Sequence, residues 1–335
     1  MRSLLSGLLL ATFLLGGCER RSPVTFGAAN SLIVVAPERL WEAVRDTVMS
    51  ALEPTIRTVR EERTFEVTHV SPLDTAWLEL RKFRQVILLG YEGDSWLAPA
   101  MGGIDSVPEQ LPAIIEVGEV WAREQAVTAV LLPGGAGREA VAEIVPELHA
   151  LLDERYRTYV RGRMFTSGVD EGLRRELLRT AGFGLTLPDV YRHEQPGGTQ
   201  HVFRNHYAQG SKELRRGITI DWRPLADSIS PRELMRWRNS ATTAFGFEQE
   251  VAPEAPDVRR LTGPGAGALE VRGAWQTPAG DWPAAGPFIS RAVRCPKQNR
   301  MYLMDAWLYA PTESKYEYVI QFETILNSFT CGDDQ

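Results

Sequence analysis

Three of the five histidines, His193, His201 and His206, fall within fourteen residues of one another. A metal site would draw on imidazoles at that density, but its ligands must converge on one face. His201 and His206 are an odd number of positions apart, so a regular strand points them to opposite sides. His193 lies across a Pro196-Gly197-Gly198 turn from His201 and is placed to pair with it. Two histidines without a third ligand read as hairpin residues, and no metal is expected. A second pattern, Gly135-Ala136-Gly137-Arg138-Glu139-Ala140, has GxGxxA spacing between an apolar strand and a helix. Such spacing lets backbone amides approach a pyrophosphate at a helix N-terminus. A dinucleotide unit also needs a second parallel strand soon afterwards, ending in an acid. Here the helix runs on through Tyr156 into another helix, and no Lys-Ser/Thr follows the glycines. The segment reads as a strand-to-helix turn, and no cofactor is expected. Asp305 interrupts an apolar strand, where alternation groups it with Leu303, Trp307 and Tyr309. If buried, its carboxylate needs a partner. The expectation is a solvent-facing or edge position, paired with Arg291 or Arg294. No Ser/His/Asp or Cys/His set stands out, so no catalytic residue is assigned.

The cysteines say more. Arg2 is followed by an apolar run from Leu4 to Leu15 and then by Gly16-Gly17-Cys18. That is a basic start, a short hydrophobic segment and a small-residue cleavage site. The run is too short to span a bilayer, which takes about 20 residues. A cysteine directly after Gly17 resembles the lipobox of bacterial lipoproteins. The resemblance implies cleavage of residues 1–17 and lipid on the Cys18 sulfur and new amino group. Cys295 and Cys331 remain, an even pair in an oxidising compartment. They either form a disulfide or stay as two free thiols. A bond would close a loop of about 37 residues, worth roughly 3–4 kcal/mol in the chain-entropy model.

Composition narrows the class further. The chain has 335 residues, 44% hydrophobic and 24% charged, enough for ordinary cores. Its formal net charge is −6, and removing 1–17 takes away only Arg2, leaving −7. An acidic balance argues against nucleic acid, which rewards a basic face. The acyl chains alone would hold the protein at the membrane.

The elements that position these residues follow from periodicity. After a polar linker (18–30), Ser31–Val35 reads as a buried strand. Pro37 then opens a helix with Leu40, Val44, Val48 and Leu52 on one stripe. Strands are predicted at 64–70, 85–89 and 127–132, helices at 73–83 and 138–159, and a long loop at 90–112. Strands alternating with helices argue an N-terminal α/β domain over 31–160. Beyond a helix at 170–180 the texture changes. Strands are predicted near 184–187, 200–205, 217–222, 268–276, 287–294 and 301–309. Ser230 and Glu233 form a capping box with Pro231 between them, and Ser314 with Glu317 looks like another. The expectation for 161–331 is a mostly antiparallel sheet with two helices. The fold class is thus α+β overall.

In this order the chain resembles a known family. The pieces are the lipobox, NSLIVVAPERLWEAVRDTV with Trp41, LLRTAGFGLTLPDVYR, and the Gly286-Pro287-Phe288 and Tyr309-Ala310-Pro311 triplets near the end. They are similar to the lipoprotein family of domain of unknown function 4837, found mainly in Bacteroidetes-type bacteria. The resemblance extends over nearly the whole mature chain. That family carries no assigned activity, so it implies no catalytic residues, and Cys295 and Cys331 are not part of its pattern. The second half is also similar in layout to PsbP/Mog1-like folds.

The function expected is that of a non-enzymatic binding or assembly module, lipid-anchored in the cell envelope. Its partner would be an unknown envelope protein or small molecule. Glu19, rather than Asp, after Cys18 points to the outer membrane, facing the periplasm. The alternative is a periplasmic hydrolase of a wall or lipid component. Tryptophans are dense in the second half: Trp222, Trp237, Trp275, Trp282 and Trp307. Exposed aromatics mark contact sites. Trp282, in a Gly280-Asp281-Trp282-Pro283 turn, is expected to be exposed beside Trp275 or Phe288, forming a contact patch. Replacing Cys18 with Ser should leave the protein unprocessed or release it from the membrane fraction. A Cys18→Ser variant that fractionates as mature, membrane-bound protein would overturn the lipobox reading.

Overall fold

The stripe Leu40, Trp41, Val44, Val48, Leu52 needs an apolar surface to lie on, and the predicted first strand supplies it. A computed structural model describes residues 23–59, 61–104, 108–210, 212–245, 248–262 and 267–332. Leu15 to Cys18 lie outside the described residues. The first part contains β1 (Ser31–Val35), α1 (Glu38–Leu52), a small hairpin of β2 (Thr55–Arg57) and β3 (Glu61–Arg63), and β4 (Glu66–Val70). It continues with α2 (Trp77–Leu80), β5 (Gln85–Tyr91), α3 (Ala98–Met101), β6 (Ala113–Gly118), β7 (Ala126–Leu132) and α4 (Arg138–Met164). The sheet order is β4-β1-β5-β7-β6, parallel except for the edge strand β6. Helices α1 and α4 cover one face, and Trp77, Leu97 and Ala100 cover the other.

The second part contains α5 (Glu171–Thr180), β8 (Phe183–Gly184), β9 (Arg192–Gly197), β10 (Gln200–Gln209) and β11 (Lys212–Pro224). It goes on through α6 (Pro231–Thr242), β12 (Glu250–Val251), β13 (Asp257–Arg260), β14 (Leu269–Gln276) and β15 (Ala285–Cys295). It ends with β16 (Arg300–Tyr309), α7 (Tyr316–Asn327) and β17 (Thr330–Cys331). The large sheet runs β12-β14-β15-β16-β11-β10-β9, with β13 also on β14, and every pairing is antiparallel. Helix α6 covers one face and α7 the other. The class is α+β, with a mixed sheet followed by a mostly antiparallel one. Helix α4 crosses from one core to the next: Val160 packs in the first and Met164 in the second.

Three local expectations change. The helix predicted at 73–83 forms only over Trp77–Leu80, because Asp74 folds back to accept from the Ala76 amide and Leu73 is left in solvent. Residues 113–118, to which periodicity assigned nothing, form the half-buried edge strand β6. The Ser230 capping box is present, but the one at Ser314 is not. Helix α7 starts one residue later than that cap would set it, at Tyr316, after Lys315, whose amide and ammonium both donate to Glu62 (2.7 and 2.5 Å). A carboxylate from the first part does the work assigned to a local cap.

Asp305 also departs from expectation. It is neither at an edge nor near solvent: β16 is central in the sheet and the side chain is fully buried. Its partner is Arg238 of α6, at 3.3 Å, with Ser290 donating to the same oxygen. Arg291 points to the opposite face, because alternation along β15 puts Ser290 and Arg291 on different sides. Burial pushes the Asp305 carboxyl above its ordinary range and the Arg238 guanidinium below its own, and the charge of each partly opposes that shift in the other. Breaking a buried pair on one side costs about 3–5 kcal/mol, whereas an apolar replacement of both is often neutral. Arg238→Met should therefore lose that much in urea unfolding, and Arg238→Met with Asp305→Leu should regain most of it. Additive losses in the double variant would refute the pairing.

Candidate functional site

Cys295 and Cys331 are joined by a disulfide, with Cα atoms 5.8 Å apart. It pins the end of β15 to the strand that follows α7, where β17 pairs with β8. The histidines do not assemble a site. His193 and His201 stack, with Nε2 and Nδ1 3.1 Å apart, and His206 faces Glu213 instead. Burial, and then the His193 charge, push His201 down to about 4, so the pair is neutral at ordinary pH. Among the described residues no group of three or more His, Cys, Asp or Glu is placed to hold a metal. The Gly135–Gly137 turn leads into α4, which leaves the sheet rather than returning to a parallel strand.

The aromatic patch expected around Trp282 does not exist. Trp282 is 79% exposed on the β14–β15 turn, but Trp275 and Phe288 are buried at 0% and 2%. Both lie on the sheet face that α6 covers. Trp275 packs edge-on against Trp307 and donates from Nε1 to the Leu308 carbonyl. Trp282 stands at the mouth of a hollow of about 590 Å³ that Phe245, Trp275 and Tyr309 also line, without a second exposed aromatic from the expected patch beside it.

A cleft of about 620 Å³ lies elsewhere, where the two parts meet. One wall comes from the β2–β3 hairpin and α4 (Ile56, Thr64, His149, Asp153), and the other from β13, β14 and α7. Pro256 precedes β13, whose Asp257 and Arg259 also line the cleft. No single stretch of sequence signals this site. Arg157 and Glu323, its central pair, are 166 positions apart.

Its floor is an ion network. Glu323 of α7 accepts from Arg157 of α4 at 2.5 Å and from Arg272 of β14. Arg272 also donates to Glu270 (2.5 Å), as do Arg259 (2.8 Å) and Arg291 (2.6 Å). Alternation along β14 places Glu270 and Arg272 on the same face, opposite Val271. Burial raises the Glu270 carboxyl, but bonds and charge from Arg272 and Arg291 outweigh it and bring it down to about 2. Glu323 is likewise held below its ordinary range, with Arg272 and Arg157 overcoming burial. Asp153 is fully engaged: one oxygen accepts from Arg157 (2.6 Å), the other from the Tyr316 hydroxyl. His149, one turn from Asp153, has a buried Nε2 with no hydrogen-bond partner among the described residues. Glu270 and Glu323 are paired with arginines and held below their ordinary range, so neither stands ready as a general acid.

Residues 174–328 match the model of the family described as domain of unknown function DUF4837. Residues 25–150 match a separate one, domain of unknown function DUF8532. The resemblance drawn from sequence over nearly the whole chain is thus matched over the second half, and the first-half segments match a different model. No curated protein matches. Among solved structures, the Saccharomyces cerevisiae Ran-binding protein Mog1p is similar at 10% identity and a TM-score of 0.31. That match covers 45% of this chain and 90% of that one. A mutant of protein Mog1 gives 12%, 0.31, 46% and 92%.

The depressed Glu270 sets a pH window. A carboxyl whose folded value lies below its unfolded one stabilises fully above the unfolded value and is lost as pH falls toward the folded value. Stability should therefore decline from about pH 4.5 toward pH 2, as the folded Glu270 carboxyl, at about 2, becomes protonated. Glu270→Gln leaves the arginines uncompensated and should cost about 3–5 kcal/mol at pH 7. It should also flatten the acid limb. Acid titration of unfolding for both proteins checks this, and an unchanged acid limb in the variant would refute it.

Proposed function

We propose that the protein is a lipid-anchored binding module of the cell envelope that holds a small ligand in the cleft between its two parts. The observation that carries the reading is the cleft, pre-formed, mostly apolar in its walls and closed at its floor by paired ions. Ligand sites have this character: concave, apolar, with a few fixed polar groups. Hydrolysis is disfavoured because the floor carboxylates are committed to arginines. Anchoring rests on Leu15 to Cys18, and the outer membrane on Glu19. Among the described residues no helix is long and apolar enough to cross a membrane. The polar linker expected over 18–30 ends earlier, because from Pro23 the chain is hydrogen-bonded to the first part through Thr25 and Phe26; the tether is short, so the cleft would work close to the bilayer.

Ile56 lines the cleft and is half-buried on the small hairpin, outside the ion network. Ile56→Trp should fill the cleft without touching its floor. Protein purified from native membranes would be denatured and the released small molecules identified by mass spectrometry. The expected result is a species carried by the wild type and depleted at least tenfold in the variant. Equal yields from both, or none from either, would sink the proposal.

A further inference from the structure

The cleft does not end at Glu323. A groove of about 360 Å³ continues from it and shares Arg157, Arg259, Arg272 and Glu323 with it. The charged residues lining this extension are five arginines, the three shared ones with Arg260 and Arg291, and one glutamate, Glu323. The second carboxylate, Glu270, lies fully buried beneath. Three arginines reach Glu270 through Nε alone, so their outer nitrogens are left for other acceptors. Arg272 uses one on Glu323, and Arg291 one on Asn327 at 2.8 Å. Among the described residues Arg259 makes no second ion pair, and Arg260, exposed at the rim, makes none. The protein as a whole is acidic, at −6, so this local positive surplus runs against its composition.

The adjoining cleft has the opposite character. Its walls carry Ile56, Pro256, Pro287, Ile289, Val319 and Phe322. An apolar trough opening into a guanidinium-lined end is complementary to one kind of molecule, an amphiphile with an anionic head. Resting on the ligand-binding reading above, we infer that the cleft takes an anionic amphiphile. Its phosphate or carboxylate lies against Arg259 and Arg260, and its apolar tail lies along Ile56 and Val319. Arginine is suited to such heads because its planar fork bonds two oxygens at once.

The test uses the full chain with Cys18→Ser, which removes the lipid and leaves every described residue in place. Calorimetry with dodecyl phosphate, dodecanoate, dodecyltrimethylammonium and inorganic phosphate, each below its micelle concentration, separates head from tail. Both anionic amphiphiles should bind, and the cationic one and inorganic phosphate should bind at least tenfold more weakly. Arg260→Ala should weaken the anionic amphiphiles about tenfold, and Arg259→Ala with Arg260→Ala further, through lost charge-assisted bonds. Arg260 is at the rim, and Arg259→Ala leaves Glu270 its bonds to Arg272 and Arg291, so the fold is kept, and thermal unfolding verifies that. Ile56→Glu should weaken the amphiphiles and leave any inorganic phosphate binding unchanged. If the cationic amphiphile binds as tightly as the anionic ones and the arginine variants change nothing, the cleft is a ligand site but the anionic assignment falls. If inorganic phosphate binds as tightly as dodecyl phosphate, the tail assignment falls. If no probe binds, this inference falls, whereas the binding reading itself is decided separately by the species recovered from native membranes.

Discussion

Glu323 is the point on which the two parts of this protein depend. Its carboxylate takes a guanidinium from Arg157 of the first part and another from Arg272 of the second. The helix that carries it, α7, is apolar on two sides. Tyr316 and Ile320 pack into the core with α1 and α4, while Phe322, Ile325 and Leu326 pack into the core under the large sheet. A helix buried on two faces must leave its polar residues on the narrow line between them. Glu323 lies there, and it can be buried only because both neighbours present an arginine. Lys315, at the start of the same helix, is held by Glu62 of the small hairpin. The last helix is thus fixed at its start and middle by charges from the first part.

The large sheet carries a buried ionic cluster on each face, and the two behave differently. On the α6 face, Asp305 and Arg238 meet at 0% exposure, and burial works against both charges. On the α7 face, Glu270 has three arginines around it, and their charge overcomes burial. At Asp305 one guanidinium does not outweigh burial, whereas at Glu270 the bonds and charge of Arg272 and Arg291 do. The surplus on the second face is also what gives the groove its positive end. The same arrangement that makes the floor stable makes its carboxylates poor acids, so the site is better suited to holding a charge than to moving a proton.

Sequence by itself determined whatever depends on near neighbours in the chain. The apolar stripe of Leu40, Val44, Val48 and Leu52 is a helix, and the run Ser31–Val35 is a buried strand. Ser230, Pro231 and Glu233 start α6, because capping is a contact over three residues. Change of texture near residue 180 separated the mixed sheet from the antiparallel one. Tertiary structure decided everything that depends on which faces meet. The apparent capping box at Ser314 gave way to Glu62, more than two hundred and fifty positions away. Trp275 and Phe288 went into the core because α6 covers their face, and Asp305 went with them. β6 formed on the edge of β7, where pairing supplies the order its short apolar run lacks. The cleft has no linear signature at all: its walls come from α4, the β2–β3 hairpin, β13, β14 and α7, elements that periodicity can identify one by one. Local spacing sets which residues share a face, but it carries no information about which other face comes to lie against it, and the cleft is made of that second relation alone.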